Sequence, residues 1–159
     1  MIRNRVLALL SALMTLPAVA LASDAAPWGT ASLQEKDYAP QRVVYDVAVP
    51  NAERMNSLLG RVSFLNNVYE ADPFDAHIVL VLHGPEIPLF AIENYDENRD
   101  LMERAQSLTN AGNIDIRMCA AAAEVHGYEP EAIHGFVDVV PMADAEIIEL
   151  LHDGYVFMQ

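Results

Sequence analysis

Two side chains in this sequence have the type and setting for chemistry, Cys119 and His83. Cys119 is the only cysteine of the 159-residue chain. It follows Ile114, Ile116 and Met118, whose alternation with polar residues predicts a short strand, and it precedes Ala120 to Ala123, which predict a helix. A cysteine where a strand turns into a helix meets unsatisfied N–H groups and the positive end of the helix dipole, and both stabilise a thiolate. A lone thiol forms no intramolecular disulfide, so it is a candidate nucleophile or sulfur carrier. The same position also suits a small core residue packed beneath the alanines, because free cysteines are among the most buried side chains. Both readings stand on the residues alone.

His83 closes the apolar run that begins at His77 and is followed by Gly84 and Pro85. In open parallel sheets, ligands bind beyond the carboxyl ends of the strands. That rule gives His83 and Cys119 one edge to share, where the imidazole could take the thiol proton or, once protonated, stabilise the thiolate. Other chemistries lack their residues. Pro50 to Met55, after the first strand, contains no glycine for a dinucleotide fingerprint or P-loop and no small hydroxyl residues for a flavin phosphate loop, so no cofactor is expected. There is no second cysteine for a dithiol motif. His77, His83, His126, His134 and His152 lack the spacing of zinc or copper ligands, so no metal is expected. Lys36 is the only lysine, which leaves Schiff-base catalysis almost no candidate. No Asn or Asp stands out as the orienting member of a thiol hydrolase triad.

The elements that must position this pair follow from periodicity. Residues 42–49 read as a β-branched strand ended by Pro50, and Asn51 as the N-cap of a helix with Met55, Leu58, Leu59, Val62 and Leu65 on one face. Residues 77–83 are apolar almost throughout, as a strand covered on both faces should be. Residues 86–95 are ambiguous. Asp96 is placed to cap a helix carrying Leu101, Met102, Ala105 and Leu108, with Gly112 as its stop. Strand 114–118, the Cys119 helix, strand 137–140, a helix over 142–152 and a last strand 155–158 complete the order. Strand and helix alternating over one domain predict a parallel sheet with helices on both faces.

The first 22 residues have the pattern of a secretory signal peptide. Arg3 and Arg5 precede an apolar stretch, and Ala20 to Ala22 form a small-residue cleavage site before Ser23. The mature chain is therefore expected in the periplasm, without stable membrane insertion after cleavage near Ala22. Residues 23–41, with Pro27, Gly29 and Pro40, read as a flexible arm, in which Trp28 either docks on a neighbouring surface or stays loose. Residues 42–159 form the α/β domain. Only nine basic residues face 23 acidic ones, for a formal net charge of −14. That sign opposes nucleic acid and anionic lipid.

The order and spacing of these pieces resemble the DsrE/DsrF-like family of small α/β sulfur-relay proteins, in particular its exported single-domain members. The resemblance runs from Gln41 to the C-terminus. It is carried by Val43 to Tyr45, Asn51 to Gly60, Ile78 to Pro85, Cys119, Gly127 to Ile133, Val137 to Pro141 and Ile148 to Tyr155. It implies a three-layer α/β/α fold with a mostly parallel five-stranded sheet, assembled into homo-oligomers, often trimers or hexamers. It also implies that Cys119 accepts sulfane sulfur as a persulfide and passes it on, with His83 in the loop facing it. The partner would be a sulfur donor or acceptor protein, or a small thiol, and the activity at most that of a carrier or transferase. The alternative is a non-catalytic oligomeric binding or assembly module with Cys119 as a buried core residue.

Overall fold

A computed structural model describes residues 28–110 and 112–159. The proposed signal peptide and the first part of the arm lie outside the described residues. The chain divides into two units, Met1–Lys36 and Asp37–Gln159. Described residues 28–36 of the first unit contain no helix or strand, and Trp28 and Leu33 are exposed.

The second unit contains five strands: β1 (Gln41–Val47), β2 (Ala76–Leu82), β3 (Ile114–Cys119), β4 (Asp138–Val140) and β5 (Val156–Met158). All pair in parallel, in the order β4-β3-β2-β1-β5. The sheet expected to be mostly parallel is wholly so. Four α-helices connect the strands: α1 (Ala52–Val68), α2 (Tyr95–Thr109), α3 (Ala120–Val125) and α4 (Ala143–His152).

Two cores lie on opposite faces of this sheet, which makes the fold three-layered. Alternate strand residues, among them Val43, Tyr45, Val47, Ile78, Leu80, Leu82, Ile116 and Met118, pack with Met55, Leu59 and Val62 of α1 and Met102 and Ala105 of α2. The intervening residues Val44, Val79, Val81 and Cys119 pack with Ala143, Ile147 and Leu150 of α4. Ile78 to Leu82 in β2 have no solvent exposure, which is why that strand reads as an unbroken apolar run.

The local signals work unevenly. Asn51 caps α1 as expected, its side-chain oxygen accepting the Arg54 N–H at 3.0 Å. Asp96 does not cap α2. The helix begins one residue earlier, and Asp96 sits in its first turn with Oδ1 2.6 Å from Arg99 Nη2. A carboxylate there favours the helix dipole, so the residue type was informative although its position was not. The ambiguous segment forms two 3₁₀ turns, Ile87–Phe90 and Ile92–Asn94.

Gly84 lies where β2 leaves the sheet, pressed against the exit of β1. A Cβ added there would stand 2.7 Å from Ala48 Cα and 2.9 Å from Glu86 Oε2. Gly84→Ala is therefore expected to cost about 1–3 kcal/mol through overpacking. Urea unfolding reads this as a lower midpoint at constant slope. An unchanged midpoint would mean that the two exits are not packed as described.

Candidate functional site

Cys119 is both the last residue of β3 and the residue that precedes α3, at φ −68° and ψ 116°. The junction expected from the sequence is there. The thiol, however, is closed in: the residue is 5% exposed and belongs to the core beneath α4. Among the described residues, no hydrogen bond or ion pair engages its side chain. The following helix is only six residues long, with Ala123 buried against the α1–α2 core and Ala122 touching both cores. Small side chains let this short helix sit tightly on the strand end.

His83 is the first residue after β2. The last paired residues of β2 and β3 are Leu82 and Met118, so His83 and Cys119 come next on adjacent strands. Their backbones thus share the C-terminal edge, but no hydrogen bond joins the two side chains. The imidazole instead pairs across β1, with His83 Nε2 2.6 Å from Asp46 Oδ1. Asp46 lies between Tyr45 and Val47, which enter the α1–α2 core, so it faces the α4 side. An ionised carboxylate can only accept, so Nε2 carries the hydrogen that it donates to Asp46. In the neutral ring this leaves Nδ1 as the acceptor. About a third of each side chain is exposed.

Glu86 holds this edge together. It has no solvent exposure, and its carboxylate accepts the Val49 N–H at Oε2 and the Gly84 N–H at Oε1, each at 2.8 Å. The exits of β1 and β2 are thereby tied to one buried charge, and His83 stands between them. Its own N–H donates to the Val47 carbonyl at 3.1 Å. Sequence reasoning missed Glu86, and the only signal was a lone acid before the apolar run Ile87 to Phe90.

A second polar cluster ties α4 to β3 on the face that carries Cys119. Arg117, two residues before Cys119 on the same face, hydrogen-bonds Glu146 of α4 and, at 3.0 Å, Asp115 of its own strand. Burial would lower the Arg117 pKa, but the hydrogen bonds and charges of Asp115 and Glu146 outweigh it and raise the pKa above its ordinary value. His77 extends the cluster, with Nδ1 2.6 Å from the Tyr155 hydroxyl and Nε2 3.5 Å from Asp115. Among the described residues, no three His, Cys, Asp or Glu side chains are grouped to hold a metal ion. No described helix is long and apolar enough to cross a membrane.

A family model for the DsrE/DsrF-like family matches residues 47–159, and the chain belongs to that family. No curated protein sequence matches it. Among solved structures, it resembles a protein of unknown function, MTH1491, from Methanobacterium thermoautotrophicum. That likeness has a TM-score of 0.58 at 18% identity and covers 74% of this chain and 97% of the other. At that identity the likeness establishes the fold.

Removing the Glu86 carboxylate would orphan two backbone donors at the site's edge. Glu86→Ala is expected to lose about 2–4 kcal/mol of stability. Hydrogen exchange should show the Gly84 and Val49 amides losing protection first. Equal protection in the variant would exclude the carboxylate as their partner.

Proposed function

We propose that this DsrE/DsrF-like protein carries sulfane sulfur as a persulfide on Cys119, as one step of a sulfur relay outside the cytoplasm. Family membership suggests a role related to sulfur relay. The observation that carries the reading is the place of Cys119, at the strand–helix junction on the carboxyl edge of the sheet. The Cys119 thiolate attacks the outer sulfur of a donor such as thiosulfate. A new S–S bond forms, the donor S–S bond breaks, and its electron pair leaves with sulfite. The product, Cys119–S–S⁻, passes its outer sulfur to an acceptor thiol or to sulfite by the reverse exchange, so no outside oxidant or reductant is needed. The Nδ1 atom of His83, left free by the bond to Asp46, is the acceptor for the thiol proton. Because the thiol is covered, loading proceeds through a local opening of the α4 side. Export follows the leader, with cleavage before Ser23 into the periplasm. Ile148 and Leu151 of α4 and Val156 and Phe157 of β5 are exposed, an apolar face that a second copy would cover.

The burial of Cys119 favours a second reading, in which the protein is a non-catalytic assembly module and the thiol is core packing. Incubating the mature chain with thiosulfate or polysulfide separates the two. The carrier gains about 32 Da, the mass of one sulfur atom, on Cys119, and Cys119→Ser abolishes the gain while the fold persists. His83→Ala slows loading. An unloaded wild type, together with a Cys119→Ser variant destabilised by about 1–3 kcal/mol, selects the module instead.

A further inference from the structure

The strand order descends from β4 to β1 and then jumps to β5, so the sheet has a topological switch point between β1 and β5. The carboxyl end of an open α/β sheet at such a point is where ligands bind. A cleft of about 260 Å³ lies there, between the end of β1, the first turns of α1, and Gln159 beyond β5. Its floor is apolar, built from Tyr45, Val47 and Leu58, all in the α1–α2 core. Its wall is cationic. Arg54, Ser57 and Arg61 line the cleft from successive turns of α1, and the Arg61 guanidinium lies 5.8 Å from the centre of the Tyr45 ring.

Three of the described arginines have polar side-chain or backbone partners. Arg99 and Arg117 are ion-paired, and Arg104 hydrogen-bonds Asn56. Among the described residues, Arg54 and Arg61 have no carboxylate within ion-pair distance, and the same holds for Arg42 near the opposite end of β1. Asp46 is the one acidic side chain lining the cleft, and its carboxylate accepts a hydrogen bond from His83. Two guanidiniums without an ion-pair partner, over an apolar floor, match a ligand with an anionic head and a hydrophobic body.

We propose that this cleft binds a small organic anion, with its carboxylate, sulfonate or phosphate head between Arg54 and Arg61 and its body on Tyr45, Val47 and Leu58. The site is separate from Cys119, so the proposal does not depend on sulfur transfer, and Cys119→Ser should bind equally well.

Calorimetry on the mature chain, without a C-terminal tag because Gln159 lines the cleft, tests this with benzenesulfonate at fixed ionic strength. Saturable one-to-one binding is expected, weakened about tenfold or more by Arg54→Gln or Arg61→Gln and unchanged by Arg104→Gln. Sulfate, which is head alone, and benzyl alcohol, which is body alone, should each bind at least about tenfold more weakly. The proposal is overturned if benzenesulfonate does not saturate, if sulfate binds as tightly, or if the Arg104 variant loses as much affinity as the cleft variants.

Discussion

A strand buried on both faces gives each residue one of two cores to enter, and neighbours along the chain enter opposite ones. The placement of the candidate site depends on this rule. In β3 it sends Met118 to the α1–α2 core and Cys119 to the α4 core. It places Asp46 and Arg117 on the same face as the thiol. A slip of one residue would exchange every one of these assignments. The register cannot slip cheaply, because Ile114, Ile116 and Met118 would leave a packed core together, at about 1.5–3 kcal/mol for each side chain.

Two opposed demands meet at the carboxyl edge. Strand ends must stay open enough for a ligand to approach, yet their freed backbone groups must find partners. Glu86 resolves this for β1 and β2 with one buried carboxylate, and Gly84 permits the close approach that brings the two exits together. For β3 the solution is cover rather than capture: Cys119 is buried in the core that α4 closes, and Glu146 of α4 is bonded to Arg117 on the same face. Access to the Cys119 thiol is therefore coupled to the packing of the α4 side of the sheet. The Asp46–His83 pair sits beside this cover, a third exposed, where a proton can be exchanged with solvent.

Much of this architecture is legible in the sequence because it rests on local periodicity. The continuous apolar run ending at Leu82 marks a doubly covered strand, Asn51 marks a helix start, and the Ala120 to Ala123 run places the thiol at a junction. The proximity of His83 and Cys119 along the edge follows from topology. What topology cannot supply is the choice of side-chain partner. Asp46 is 37 positions from His83 and becomes its neighbour only through the β1–β2 register. Glu86 looks like an ordinary surface acid until the Gly84 turn folds it inward. The burial of Cys119 belongs to a core shared with Ala143, Ile147 and Leu150 of α4, a helix that follows the next strand, and no local pattern reports a contact of that range.

Labelling of the Cys119 thiol in the native protein, at increasing urea below the unfolding transition, tests the central claim most directly. A carrier must expose its sulfur without unfolding. The account predicts a labelling rate that is nearly flat in urea and far above the rate allowed by global unfolding. A rate that rises with the full urea dependence of global unfolding would contradict it and make Cys119 a core residue.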